Sequence, residues 1–274
     1  MEGVTSMFSS KLEFKGAVIG ALLGDASIVK YPQSRVHHLQ ITHCMEQEGY
    51  ALEKKKILEH LTVVRFYTDQ PNGVDGKYRC CQLVTRSHPL YDSMRDHFYH
   101  EGRKTVDEHV LKCITPLGLA LLYMDDGYLC PQGNFGVPMI GTCGFNKIEN
   151  ETIARMLQKR FGLQWRLNAT FSYWKGIRKR IFNLRLRLSD REKFFDMIKD
   201  FVPECMKYKI SYDKDKMPKE RIPLTCTVCD QEIHKWPQQV VEGNEFVCGP
   251  CYHKLTRNNK GTQEEIPEDV LCSV

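Results

Sequence analysis

The chain has 274 residues and a mass of 31.9 kDa, long enough for one large domain or two medium ones with real cores. Hydrophobic content of 42% with 27% charged residues excludes a disordered chain, and no stretch approaches the ~18 apolar residues of a membrane-spanning helix. Net charge is +5, but residues 155–221 hold 19 Lys+Arg against 8 Asp+Glu, whereas 1–154 hold 16 against 18 and 222–274 hold 4 against 8. Positive charge concentrated in one stretch points to a polyanion partner, with a solvated basic surface as the plainer alternative. The start, MEGVTSMFSSKLEFKG, lacks the basic-then-apolar layout of a signal peptide. An intracellular protein is expected, in the cytoplasm or an organelle, where thiols stay reduced.

In chain order, the apolar run GAVIGALLGDAS (16–27) opens the pattern. Strand-like pieces follow around 28–31 and 35–44, then an amphipathic helix at about 46–60, strands near 61–68 and 77–86, and a helix at about 89–100. A second apolar run, PLGLALLYMDDG (116–127), starts with a Thr115 cap and Pro116 in the first helical position. After it come a strand–loop–strand at about 128–143, a helix at 147–161, strands near 163–173 and 178–188, and a helix at 190–202. The order α-β-β-α-β-β-α occurs twice, so the fold class is α/β with an internal pseudo-twofold.

The second-half strands alternate. Trp165 and Leu167 point one way, Arg166 and Asn168 the other; Leu184 and Leu186 are opposed by Asn183, Arg185 and Arg187. One face is therefore buried, and the other carries side chains suited to hydrogen-bonding base edges in a duplex groove.

Asp25 and Asp126 each end an apolar helix, where the helix dipole disfavours a carboxylate. A shared divalent cation, Mg²⁺ or Mn²⁺, gives a reason for placing one there twice. Gly16, Gly20 and Gly24 recur every four residues and form a Cβ-free stripe, along which the second apolar helix is expected to pack near Ala120. Two carboxylates sharing metal beside a basic sheet suit phosphodiester hydrolysis.

VIGALLGDA (18–26) and LALLYMDDG (119–127) resemble the two motifs of a monomeric LAGLIDADG homing endonuclease, over roughly residues 12–215. The flanks match as well: Arg103-Lys104-Thr105-Val106 precedes the second motif, and Pro203-Glu-Cys-Met-Lys-Tyr-Lys209 resembles a Pro-x-x-Met-x-Tyr-Lys ending. The resemblance implies tandem αββαββα halves (12–105 and 106–221) with saddle-shaped antiparallel sheets over a DNA major groove. It also implies cleavage of both strands to leave short 3′ overhangs. On it, Asp25 and Asp126 hold the metal, with the Gly24 and Asp125 backbone as neighbouring groups. Asp125 faces Gly24 in the other motif and is not a primary ligand. Lys104 and Lys209 are the basic groups near water or the leaving oxygen, with Lys207 as rival to Lys209. DNA contacts are expected from Arg166, Asn168, Asn183, Arg185 and Arg187 in the second half, and from Arg35, Gln40, Arg79 and Gln82 in the first. Two departures stand out: Ala-Ser follows Asp25 where Gly is commoner, and Leu121 replaces the small third residue of the second motif.

Cys226-x2-Cys229 and Cys248-x2-Cys251 have the spacing of a four-thiolate Zn²⁺ site. The small segment 222–256 would depend on metal to fold, with His234 and His253 as spare ligands. Cys44, Cys80, Cys81, Cys113, Cys130 and Cys143 have no ligand spacing and are expected in the core or on the surface. Residues 257–274 look like a polar tail. The leading function is a Mg²⁺-dependent, site-specific double-strand DNA endonuclease. An intron RNA maturase and a cleavage-dead DNA-binding regulator are the alternatives on the same fold.

Overall fold

The computed structural model describes residues 11–59, 62–72, 78–132, 135–174, 177–212, 222–235, 246–248 and 250–251. Chain contacts divide it into two units, residues 1–212 and 213–274. In the first unit, α1 (Lys11–Leu23) is followed by β1 (Ala26–Val29), β2 (His38–Cys44), α2 (Glu48–Glu59), β3 (Val64–Asn72), β4 (Tyr78–Thr85) and α3 (Pro89–Phe98). A short hairpin, β5 (Tyr99–His100) and β6 (Arg103–Lys104), and α4 (Glu108–Leu111) lead to the second set. That set is α5 (Pro116–Asp126), β7 (Gly127–Gln132), β8 (Phe135–Ile140), α6 (Lys147–Phe161), β9 (Trp165–Trp174), β10 (Ile177–Leu186) and α7 (Arg191–Ile198). The expected repeat of α-β-β-α-β-β-α is present, and the two antiparallel sheets share one strand order, β1-β2-β4-β3 and β7-β8-β10-β9.

Local signals set the element ends. Thr115 accepts a hydrogen bond from the Gly118 amide and Pro116 takes the first turn of α5, as Thr-Pro predicts. Asn146 and Glu149 form a reciprocal capping box on α6, which Gly162 closes at φ 64°.

α1 and α5 lie against each other along their small residues, apolar all round because they are enclosed all round. The crossing point differs from the expectation of Ala120. A Cβ on Gly20 would sit 1.9 Å from the Gly118 carbonyl oxygen, and one on Gly118 would sit 2.1 Å from the Gly16 carbonyl oxygen. Gly118, one turn before Leu121, supplies the gap that the motif's third position lacks.

Each sheet turns one face to helices and leaves the other open, as antiparallel sheets commonly do. Leu39, Ile41, Leu83, Leu184 and Leu186 are in the core. The second unit contains β11 (Ile222–Thr225) paired with β12 (Glu232–Lys235). His253 and the 257–274 tail lie outside the described residues. No helix among the described residues is long and apolar enough to cross a membrane. Cys80 and Cys81 are buried, Cys44 and Cys143 exposed, and Cys113 and Cys130 half-buried.

Candidate functional site

The packing of α1 on α5 brings both helix C-termini to one place. Asp126 is the last residue of α5; Asp25 lies two residues beyond α1, its helix closed by the Gly24 amide on the Gly20 carbonyl. Burial, then the Asp25 and Asp125 charges, push the Asp126 carboxyl up to about 7. Asp25 is also raised, by burial first and Asp125 second, against the pull of Lys54, Lys209 and Lys104. Two carboxylates in each other's field, with partial solvent access, make a donor set of hard oxygens that gains from a divalent cation.

Lys104 and Lys209 occupy equivalent places. Lys104 Nζ donates to the Gly24 and Ala26 carbonyls at 3.1 and 2.9 Å. Lys209 Nζ donates to the Met124 and Asp125 carbonyls at 2.5 and 3.0 Å. Lys209 thus satisfies orphan carbonyls in the last turn of α5, and Lys104 bridges the backbone carbonyls just past the end of α1. Burial lowers both lysines, against the three aspartates that raise them. Lys207 is excluded from this place: it is exposed and pairs with Glu204. Lys209 is held by the Tyr123 hydroxyl, which donates to its carbonyl at 2.9 Å. The Lys104 hairpin is held by Arg103, whose guanidinium forks onto Glu149 of α6 at 3.0 and 3.1 Å.

The sequence reading did not single out Tyr50, Lys54 and His43, and gave Asp125 only a neighbouring role. Asp125 is wholly buried and ion-paired with Lys54 of α2 at 2.5 Å. Its Oδ1 also accepts the Tyr50 hydroxyl at 2.7 Å, and its Oδ2 accepts the Asp25 amide at 3.1 Å. Asp25, His43 and Asp125 present atoms within 4.8 Å of one another, a group that does not include Asp126. Asp125 already accepts from three protein donors, whereas Asp25 and Asp126 lie in each other's field. The available signal was the lysine itself: Tyr50, Lys54, Ile57 and Leu58 are all buried residues of one amphipathic helix.

The open sheet faces bear most of the expected DNA contacts. On β9 and β10, Arg166 is paired across from Arg185 and Asn168 from Asn183, opposite the buried Trp165, Leu184 and Leu186. Arg185 leans on Gln132 of β7 at 2.5 Å. Arg187 lies past the end of β10 and donates to Gln164 at 2.8 Å. On the first sheet, Gln82 is paired across from Thr42, so Gln40 and Gln82 share the open face. Two residues do not join them. Arg79 has the parity of Cys81 and Leu83, putting it on the other face, and pairs with Asp69. Arg35 is in the loop between β1 and β2 and not on a strand.

In the second unit, Cys226, Cys229, Cys248 and Cys251 place their sulfurs within 4.8 Å of one another. The Cys248 amide donates to the Cys226 sulfur at 3.2 Å and the Cys251 amide to the Cys248 sulfur at 3.4 Å, the pattern of a knuckle that stabilises thiolates. His234 is directed at Glu232, 3.4 Å away, and does not join the cluster.

Residues 15–187 match the family model of the LAGLIDADG DNA endonuclease family. Probable intron-encoded DNA endonuclease 3 of Mycosarcoma maydis is 28% identical over 142 residues, covering 50% of this chain and 97% of that one. DNA endonuclease I-ChuI of Chlamydomonas applanata is 24% identical over 212 residues, covering 72% and 94%. Among solved structures, the homing endonuclease I-WcaI bound to its DNA recognition sequence superposes with a TM-score of 0.57 at 22% identity, covering 74% of this chain and 88% of that one. This likeness is one of fold. The cysteine cluster lies outside the matched region.

Proposed function

The chain belongs to the LAGLIDADG DNA endonuclease family, and from that premise we propose that it cuts both strands of a long, specific duplex site, leaving short 3′ overhangs. The observation that carries this reading is the convergence of Asp25 and Asp126 at the ends of two packed helices, with half-buried Lys104 beside one end and buried Lys209 beside the other. Asp25 and Asp126 would hold Mg²⁺ or Mn²⁺. Bound there, the cation supplies Lewis-acid polarisation of the phosphate and makes a nucleophile of water near neutral pH.

The residues do the rest. The raised carboxylates have their strongest affinity for positive charge where burial has stripped water from them. Lys104 and Lys209 each commit two donors to backbone carbonyls, Lys209 in the last turn of α5 and Lys104 just past α1. An ammonium has three donors, and each lysine keeps its charge beside the place where negative charge develops on the scissile phosphate. Water attacks phosphorus in line and the 3′ oxygen departs. Arg166, Asn168, Asn183 and Arg185, with Gln40 and Gln82, read base edges from the open faces; Arg187 and Arg35 act at the margins as phosphate contacts. One chain carries both halves, so it works as a monomer, in whichever compartment holds its target DNA. The four cysteines hold one structural Zn²⁺, for which four soft thiolates are selective.

The test is a duplex library with a long randomised segment, incubated with the protein and Mg²⁺, with the cut ends sequenced. One recurrent site, cut on both strands with 3′ extensions, is expected. Random nicking, or binding with no cleavage, would overturn the reading; preferential binding of a folded intron RNA would favour the maturase.

A further inference from the structure

The two motif aspartates do not have equivalent surroundings. At the position corresponding to Gly24, the second motif has Asp125, and this carboxylate crosses to the first half of the chain. A Cβ at Gly24 would lie 2.4 Å from its Oδ2, so the bare glycine is the space that Asp125 occupies. Asp125 pairs with Lys54 at 2.5 Å. Lys54 Nζ in turn lies 3.1 Å from His43 Nε2. An ammonium only donates, so His43 Nε2 must be the acceptor and the ring proton must sit on Nδ1. That nitrogen is 3.1 Å from Gln47 Oε1 and 3.5 Å from Asp25 Oδ2. The second half has a neutral arrangement at the corresponding strand end, where the Thr142 hydroxyl bonds Asn150.

We propose that Lys54 and Asp125 are positioning residues for Asp25, acting on it at two points. Asp125 Oδ2 fixes its backbone amide, and Lys54 fixes His43 as the Nδ1–H tautomer, whose N–H end faces the Asp25 carboxylate. Neither residue touches the reacting atoms. Both are fully enclosed, with side-chain exposures of 1% and 0%, so their role is relayed through His43 and the Asp25 amide. A ring of fixed tautomer presents its Nδ1–H, bonded to Gln47 Oε1, beside the Asp25 carboxylate. Among the described residues Asp126 has no such relay, so the two carboxylates would meet the metal with different rigidity.

The inference rests on Asp25 being an active-site ligand, yet its first test needs neither DNA nor metal. Long-range ¹⁵N–¹H spectra of protein labelled in histidine report the tautomer of each ring, and the signal absent from His43→Gln identifies His43. The Nδ1–H pattern is expected across pH 6 to 8, retained in Lys54→Arg and lost in Lys54→Gln. An Nε2–H pattern in the wild type, or no change in a folded Lys54→Gln, overturns the proposal whatever the enzyme cuts. The second test is single-turnover cleavage of the duplex recovered from the randomised library. Lys54→Gln should slow cutting by about tenfold or more, the usual scale for a partner that orients a ligand, with affinity for the duplex held and the rate recovered in Lys54→Arg. Equal loss of affinity and rate, with no recovery by arginine, would mean that the pair only braces the fold.

Discussion

Replacing Asp126 by Asn should make the metal-free protein more stable at neutral pH while abolishing cleavage. The folded protein raises the Asp126 carboxyl from 3.8 to about 7. It therefore binds the proton more tightly than the unfolded chain does, and stability falls as pH rises from about 4 to about 7, then levels. An interval of about 3 units at about 1.4 kcal/mol per unit sets a ceiling of about 4 kcal/mol. Asp126 is partly exposed, and solvent screening reduces this to about 2 kcal/mol. Asn is nearly isosteric with the protonated acid and escapes the penalty. Urea unfolding in EDTA, comparing Asp126→Asn with wild type at each pH, should show the variant ahead by about 2 kcal/mol at pH 8 and level with it at pH 4. Saturating Mg²⁺ should narrow the gap by stabilising wild type alone. A variant no more stable than wild type at pH 8 would refute the claim that burial and like charge strain this carboxylate.

Gly20→Ala should destabilise the core by about 3 kcal/mol or more, since its Cβ meets backbone at 1.9 Å and overpacking against backbone cannot relax. Gly144→Ala, where nothing lies within 4 Å, is the control and should be near neutral in thermal unfolding. Changing Cys226 and Cys229 to Ser should remove one zinc by elemental analysis and leave the α1–α5 core folded by near-UV circular dichroism; zinc-free wild type would refute the site. Arg185→Ala should relax base preference at a few positions of one half-site, at about 1–3 kcal/mol each, read by cleavage of a single-substitution panel. A uniform loss with a reduced salt slope would mark it as a phosphate contact instead.

Much of the architecture is legible in the sequence because the period-two alternation of LQWRLNATF and RIFNLRLRL is written in large residues, Trp165, Leu184 and Leu186, that end up buried. The boundaries of α6, 147–161, follow from Asn146, Glu149 and Gly162. Both motif aspartates are readable from their helix ends, while the two lysines come from the resemblance of the flanks, Arg103-Lys104-Thr105 and Pro203 to Lys209. What stays hidden depends on three dimensions. The crossing of α1 on α5 at Gly118 is set by the angle between the helices, which a motif-by-motif alignment of Gly20 with Leu121 does not contain. The face of Arg79 depends on the register of β4, fixed by Cys81 opposite His43. Asp125 reads as a spare acid beside Asp126 until α2 brings Lys54 and Tyr50 to it from about 70 residues away.

The central claim is that cleavage depends on two carboxylates, one from each motif, while recognition resides in the sheets. The direct measurement is strand-resolved cleavage and binding of the library-selected duplex by wild type, Asp25→Asn and Asp126→Asn, with Mg²⁺ for cleavage and Ca²⁺ for binding. Wild type should cut both strands. Each variant should bind within a few-fold of wild type and make no double-strand break, with rates down by at least about 10³-fold, as expected when a group stabilising transition-state charge is lost. Double-strand cleavage by either variant at near the wild-type rate would contradict the account.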